Sequence, residues 1–570
     1  STTRPTPNSP CPAVDPPIPR RRKMFRKTLA VLGISLLCLT SVAFTQDAAT
    51  QEEIDKLQQE INDLEKRVMK NERKTALDRI NFSGDFRFEV NSINSTYDDF
   101  YDGMQLQRML VDTLFYFGAT GMPPQSPEAV QGFIAQNYAN YLYYIDNVVT
   151  FDWLKNVMAS FPPEMQHALL GQLLPYTFTE GYDYSNEILY TNRLRLQMDA
   201  KVSDSVEFVG RLSMYKVWGD STGVQTFNGF PTSINIDGTT SSVPNSDILR
   251  VERAYFTWSG DKFYLSIGRR PSTGGTPLNF RNDEPRGGSP LGTLVNFQFD
   301  GATFGWRISD QSTFRLCYGV GFESGFGNAQ ELKTPADRLK DASFLGINWD
   351  IWNTENLFVQ TTIMRAFDVT DGFGGLVVLP VDPVTGQDVP APIVMRYAPS
   401  ATLGDISWAS VVAVMHPGAF DVFGSLSYME SDPNDVTAPF GGLFSDPFET
   451  PEKQDAYSYY LGARYNFSND KTKIGLEYNY GSEYWFNMAV AEDSLFAPKT
   501  SVRGDVWELY LTHRITKNFI LKLDYMKYNF KYSGSGWHMG APKDLDSTPI
   551  LGFASPTDAD RFLLGLQARF

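Results

Sequence analysis

Charged side chains recur through much of the chain at alternate positions, each set interleaved with apolar residues. Arg193, Arg195 and Gln197 alternate with Leu194, Leu196 and Met198, and Glu207, Arg211 and Ser213 alternate with Val206, Phe208, Leu212 and Met214. Asp85, Glu89, Arg253, Arg307, Arg315, Glu477, Glu508 and Asp524 occupy comparable positions elsewhere. Alternate residues of an extended chain share one face, so these groups form ladders of charge on a wet surface, not a cluster converging on one bond. Such a surface sorts ions and polar solutes. Rings of a single sign would set ion preference, but here the signs are mixed. Two readings stay open: a transverse field across a constriction, or charges that pair with one another and keep a lumen hydrated.

Residues for bond-making chemistry are sparse. His167, His416, His513 and His538 are scattered without metal-ligand spacing, and no Cys-x-x-Cys-His haem motif occurs. Nor is there a Gly-x-Ser-x-Gly elbow or a phosphate loop. No catalytic residue, metal site or cofactor is therefore assigned, and an enzyme is not expected. The net charge of -16 argues against a nucleic-acid partner, which is bound through clustered Lys and Arg. Acidic stretches such as Asp98-Asp99 and Asp432 to Asp435 read as solvated loops, with weak Ca²⁺ or lipopolysaccharide-bridging contacts as the alternative.

The elements that must carry the ladders are strands. From Ile80 onward, Phe82, Phe86, Phe88 and Val90 interleave with Ser83, Asp85, Arg87 and Glu89. A strand crossing a bilayer needs this alternation over about 9–11 residues, apolar toward lipid and polar toward the lumen. An Arg at the bilayer midplane costs about 2–4 kcal/mol, so the arginine face must be the lumen. About sixteen such segments follow, the first over 80–90 and the last over 559–570. Their connections alternate in length. Ser203-Asp204-Ser205, Ser259-Gly260-Asp261, His416-Pro417-Gly418 and Thr516-Lys517 are short, whereas Asp220 to Asp247, Asp368 to Leu403 and Ser533 to Asp558 are long. Short periplasmic turns and long external loops are the pattern of an outer-membrane barrel. An aromatic content of 14% suits the girdles such a barrel needs. In the segment 294–308, Asp300-Gly301 is a hairpin signal, but splitting there leaves halves too short to span, so the change of apolar parity predicts a bulge.

The last segment is the most specific. Phe562, Leu564, Leu566, Ala568 and the terminal Phe570 alternate with Arg561, Gly565, Gln567 and Arg569. A final aromatic on an alternating strand reads as the signal for the barrel assembly machinery, carried by Phe570, Ala568 and Leu566.

Before the barrel, Arg21 to Lys27 are strongly basic and Thr28 to Gln46 carry no charge. Residues 24–43 read as a secretory signal peptide, and 1–23 as a mis-called start or appended residues. A spanning helix is the alternative for this stretch, and Cys38 raises a lipoprotein reading that Leu37 before it disfavours. If Cys11 and Cys38 are lost on processing, Cys317 alone remains and no internal disulfide forms. Within 51–75, Ile54, Leu57, Ile61, Leu64 and Val68 recur at heptad spacing. The segment is a coiled coil or a lone amphipathic helix, and the coiled coil would make a homo-oligomer, a dimer or trimer.

The connection 91–187 departs from the barrel pattern. Ser126-Pro127-Glu128 is a helix start, followed by Phe133, Ile134, Tyr138, Tyr141, Leu142 and Ile145 at helical spacing. Further helices are predicted near 104–117, 151–161 and 163–174. Their apolar stripes must be buried, against one another, the barrel mouth, the lumen wall or a partner. The expectation is that 104–174 packs in or over the mouth and sets the narrowest point.

Asn192 to Trp218, Glu252-Arg253-Ala254-Tyr255, Ile267-Gly268-Arg269-Arg270-Pro271 and Lys473 to Trp485 resemble an uncharacterised family of bacterial outer-membrane barrel proteins grouped loosely with porins. The likeness covers most of 80–570. It implies fold and location and supplies no functional residue. The heptad segment also resembles porins whose N-terminal helix extends into the periplasm. The reading is thus an all-β membrane protein in the bacterial outer membrane, with a barrel over 80–570 that meets lipid and lipopolysaccharide. Its lumen would pass small hydrophilic solutes or ions by passive diffusion. The alternative is a structural barrel that anchors surface loops or sheathes a partner protein.

Overall fold

The computed structural model describes residues 56–68, 79–219, 246–325, 339–372, 375–381, 388–397, 399–489, 492–547 and 549–570. The expected signal peptide and the residues before it lie outside these. The chain divides into two compact units, Ser1–Asp78 and Arg79–Phe570. In the first, 56–68 is a helix whose heptad positions Leu57, Ile61, Leu64 and Val68 are all exposed. No described helix is long and apolar enough to cross a membrane.

The second unit is a closed barrel of sixteen antiparallel strands, each hydrogen-bonded to its sequence neighbours in the sheet. They are β1 (Ile80–Tyr97), β2 (Tyr182–Lys201), β3 (Val206–Val217), β4 (Ser246–Ser259), β5 (Phe263–Arg270), β6 (Phe299–Ser309), β7 (Ser312–Phe322) and β8 (Ala342–Asn353). The circle continues with β9 (Leu357–Thr370), β10 (Thr402–Met415), β11 (Phe420–Pro433), β12 (Asp455–Asn466), β13 (Thr472–Gly481), β14 (Gly504–Thr516), β15 (Phe519–Phe530) and β16 (Pro556–Arg569). Every predicted strand is present. The short turns, both barrel termini and a girdle of Trp258, Phe263, Trp306, Trp352, Phe420 and Phe467 lie at one end. The long connections lie at the other.

Parity follows the cost of burying charge. On β11, Leu426 is 56% and Tyr428 45% exposed on the outer face, while Asp421, Phe423, Ser425, Ser427 and Met429 are buried on the inner one. On β1, Asp85, Arg87, Glu89 and Asn91 point inward in the same way. Closure joins β1 to β16 from Asp85↔Arg569 to Tyr97↔Pro556. One further residue extends it: Gly84 N donates to Phe570 O at 2.8 Å and Phe570 N to Gly84 O at 3.0 Å.

Two expectations need correction. The bulge at Asp300-Gly301 is absent: Arg269↔Asp300, Gly268↔Gly301 and Gly301↔Gly319 pair in unbroken register. The strand begins at Phe299, and the parity changes because Val295 and Phe297 are buried inside the barrel while Phe304 and Trp306 face outward. The insertion is also shorter than 91–187, since β1 runs to Tyr97 and β2 starts at Tyr182.

Within that insertion lie helices Gly103–Thr120, Pro127–Gln136, Tyr138–Asn147, Phe151–Ser160 and Pro163–Leu173. Asp102, Ser126 and Thr150 cap three of them by accepting from first-turn backbone N–H groups. Their stripes bury one another. Leu106, Leu110, Leu114, Leu154, Met158 and Leu173 form one small core, and Phe115, Val130, Ile134 and Tyr141 another. The helices rest on the connection 434–454, where Gln107 Nε2 donates to Pro439 O at 2.6 Å and Lys155 Nζ to Thr437 Oγ1 at 3.3 Å.

Two long connections, 434–454 and 531–555, pack together over the mouth and meet there the ends of a third, 482–503, at Trp485 and Arg503. Arg503, fully buried, donates to the carbonyls of Trp485 at 3.0 Å, Ser533 at 2.9 Å and Trp537 at 2.6 Å. Beside it His538 lies within 2.6 Å of Thr370 O through Nε2, and its own carbonyl accepts from Phe444 N at 3.1 Å.

Adding a Cβ at Gly84 would place it 2.6 Å from Arg195 O and 2.7 Å from the Phe570 ring. Gly84→Val is therefore expected to abolish the heat-modifiable barrel species on a gel. Removing the ring as well, in Gly84→Val/Phe570→Ala, should not restore it, because the backbone clash remains. Normal assembly of Gly84→Val would contradict this closure.

Burial pushes the His538 imidazole down from 6.5 to about 4, so the packed loops hold it neutral. Its folded pKa lies below the unfolded one, so the contribution to loop packing is complete above about pH 6.5 and is lost as pH falls through about 4. Limited proteolysis within 531–555 should accelerate across that window, and His538→Gln should flatten the dependence.

Candidate constriction in the barrel lumen

Between β5 and β6 the segment 271–298 turns into the barrel instead of standing above it. Its apolar residues Leu278, Leu291, Leu294, Val295 and Phe297 pack on the inner faces of β8 to β12, against residues such as Phe344, Met364, Trp408, Val412, Phe423 and Tyr460. Two passes of the segment approach so closely that a Cβ on Gly275 would lie 2.1 Å from Pro290 O. Only glycine fits there.

The tip, Arg281 to Arg286, is dense in charge, and each charge meets an opposite one on a different part of the wall. Asp283 accepts from Lys473 Nζ at 2.6 Å and Arg514 Nε at 2.7 Å, with Arg464 at 3.5 Å. Arg281 lies 3.4 Å from Glu508 and 3.2 Å from Glu492. Glu284 lies 3.3 Å from Arg195 on β2 and accepts from Gln567 Nε2 on β16 at 3.1 Å. Arg286 reaches Asp350 on β8 at 3.1 Å. Burial alone would raise the Glu284 carboxyl, but Arg195 and Arg193 outweigh it and bring it down to about 2.

The connection 482–503 completes the inner structure. Asn296 N donates to Met488 O at 2.7 Å and Met488 N to Leu294 O at 3.0 Å, so the two segments pair by backbone inside the barrel. Lys499, buried, donates to the carboxylates of both Glu477 and Glu508 and lies 4.8 Å from the Tyr460 ring centroid. Asp493 accepts from Arg193 and, at 3.1 Å, from Arg87. These arginines hold its carboxyl below the usual range despite the burial that would raise it.

The lumen is thereby divided. Against β8 to β12 the packing is apolar and dense. Along β1 to β4 it leaves a polar cavity of about 470 Å³, bounded on the wall side by Asp85, Arg193, Arg195, Arg211, Glu252 and Arg253 and on the inner side by Glu284, Arg286, Glu492 and Asp493. The lining runs from Ser83, Arg569 and Phe570 near the short-turn end to Tyr215 and Arg250 toward the long-loop end.

The charged residues singled out from the sequence fall into three groups. Arg193, Arg195, Arg211, Arg253 and Asp85 line the cavity. Glu89, Glu477, Glu508, Asp524 and Arg315 face inward elsewhere, each engaged by an opposite charge: Arg87, Lys499, Lys499 with Arg281, Lys522 with Arg561, and Asp350 respectively. Glu207 and Arg307 are exposed at the short-turn rim, where Arg307 donates to Gly260 O at 2.9 Å. No residue of 98–181 lines the cavity. The expectation that 104–174 sets the narrowest point is thus corrected: its helices bury their stripes against one another, and 271–298 and 482–503 narrow the lumen. The residues that sequence reasoning missed are Arg281, Asp283, Glu284, Arg286, Glu252, Glu492, Asp493 and Lys499. The available signal was the run Arg281-Asn282-Asp283-Glu284-Pro285-Arg286 set between apolar stretches.

The chain is similar in structure to OmpT, an outer-membrane protein of Vibrio cholerae (12% identity, TM-score 0.36, covering 86% of this chain and 97% of that one). It is also similar to the outer membrane channel DcaP of Acinetobacter baumannii (10%, 0.38, 86% and 97%) and to OprB of Pseudomonas putida (10%, 0.37, 87% and 96%). Likeness at this level carries no argument about solutes, and the architecture rests on the strand pairing described above. No curated protein matches in sequence. The model of one family, the proteins of unknown function DUF3373, matches residues 183–570, and the chain belongs to that family.

Proposed function

We propose that this protein is an outer-membrane channel through which small hydrophilic solutes or ions diffuse passively, along the eccentric cavity between β1 to β4 and the tip of 271–298. One observation carries the reading: two segments fold inward and fill the apolar side of the lumen, yet a polar cavity of about 470 Å³ persists beside them. A barrel that only anchors loops needs no such division, and one that sheathes a partner needs an open bore. Sixteen strands also give the width at which barrels leave an aqueous channel. In this reading the short-turn end faces the periplasm and the long loops face outward, among lipopolysaccharide. Phe570, Ala568 and Leu566 present the assembly signal. The helix 56–68 lies in the periplasm, where its exposed Leu57, Ile61, Leu64 and Val68 pair copies into a dimer or trimer. The protein performs no bond-making chemistry.

A second reading, an interaction surface on the helical insertion, is favoured by Phe117, Met122, Tyr138 and Tyr143, which stay exposed on the cap although its cores are complete. It is compatible with conduction.

Planar-bilayer recording tests the channel. The unaltered protein should give small unitary steps. Replacing 277–290 by a short Gly-Ser linker should raise them several-fold while heat-modifiability is kept, whereas replacing 104–174 should leave them unchanged. Absence of current from both the unaltered and the 277–290 proteins, each correctly assembled, would refute the reading.

A further inference from the structure

We propose that the cavity is a recognition site for small oxyanions, carboxylates or phosphates, with Arg211 and Arg253 as the groups that hold the solute. The inference rests on the channel reading and names its solute class.

The chain as a whole is acidic, at -16, yet among the described residues eight arginines and five carboxylates line this cavity, with no lysine. The carboxylates are already committed. Asp85 takes both Arg193 (3.2 Å) and Arg195 (2.7 Å), Asp493 takes Arg87 and Arg193, Glu284 takes Arg195, and Glu492 takes Arg281. A cation entering here would find its acidic partners engaged. Guanidinium donors remain in excess, because each arginine carries five N–H groups in a planar fork.

The excess is greatest around Glu252. This one carboxylate serves two guanidiniums, Arg211 at 3.3 Å and Arg253 at 3.8 Å. Arg211 turns its Nε to Gln197 Oε1, a neutral acceptor, at 2.9 Å. Arg253 has a side chain only 9% exposed, and its buried Nε has no hydrogen-bond partner among the described residues. A charge withdrawn from water and left without good hydrogen bonds is unfavourable, and an incoming anion removes that deficit. Space for it is built in: a Cβ at Gly287 would stand 3.6 Å from Arg253 Nη2, so the glycine keeps the opposite wall bare. Guanidinium forks match the planar oxygens of carboxylate and phosphate in a bidentate way that neither chloride nor a neutral sugar reproduces.

The test uses the purified full-length barrel with malonate and inorganic phosphate as probes. In bilayers under a KCl gradient, the unaltered channel should give an anion-selective reversal potential, and either probe at millimolar concentration should reduce the open-channel current. Arg211→Gln/Arg253→Gln should lower the anion-to-cation permeability ratio at least threefold and abolish block by the probes. Glu252→Gln, which frees both arginines, should strengthen block. Loss of block by malonate alone, or by phosphate alone, assigns the physiological solute to that chemistry. Equilibrium dialysis of the labelled probes against the detergent-solubilised barrel gives a readout independent of conduction. Binding that disappears in the double variant upholds the site even if no current is seen, in which case the channel reading fails and not this one. A cation-selective channel, or equal block and equal binding in a heat-modifiable double variant, would overturn the proposal.

Discussion

The arrangement of this lumen depends on a match of charge between six consecutive residues and the wall around them. Arg281, Asp283, Glu284 and Arg286 each meet opposite charge on a different stretch of the barrel, from β2 and β16 through β8 to β12, β13 and β14. Buried ion pairs add little net stability, because desolvation cancels much of the attraction. What they do enforce is placement. Losing one member of a buried pair costs about 3–5 kcal/mol, and Asp283 alone engages three cations. Any other position of the tip would strand those charges. Apolar burial behind the tip draws the segment inward, and the ion pairs decide where it stops.

From that placement the asymmetry follows. Leu291, Leu294 and Val295 need an apolar wall, and β10 and β11 supply one in Ile406, Trp408, Val412 and Phe423. The polar wall of β1 to β4 is left beside the tip, touching it at Arg195 and otherwise bounding the cavity. The same side carries the arginines, so the part of the lumen that stays open is also the part richest in guanidinium. The helical insertion takes no part in this division. It stands on the 434–454 connection and closes its own cores.

The barrel was legible because one physical rule, the cost of charge in lipid, is written into every strand as parity. Leu194 against Arg195, or Phe562 against Arg561, orients its strand without reference to anything distant. The constriction was not legible for the converse reason. Val295 and Phe297 alternate like strand residues whether they face lipid or a lumen core, and Asp283 looks like a solvated loop residue until Lys473 and Arg514, about two hundred positions away, are seen beside it. In the insertion, the helices could be read from their caps and stripes. Where those stripes would be buried could not, since Leu110 and Leu154 are complementary only once folded. Of the charges expected to line the lumen, Glu207 and Arg307 obey the parity but sit at the short-turn rim of the wall, and alternation carries no information about depth.

The inward position of 271–298 is tested most directly by cross-linking its tip to the wall. Lys522 Nζ donates to Asn282 Oδ1 at 3.0 Å, so Asn282→Cys/Lys522→Cys, in a Cys317→Ser background, brings two thiols within reach of a short bis-maleimide. Assembled barrels should cross-link rapidly and almost completely, with a shift in gel mobility after denaturation. Heat-modifiable barrels in which both thiols react separately with a water-soluble maleimide and do not cross-link would contradict the account.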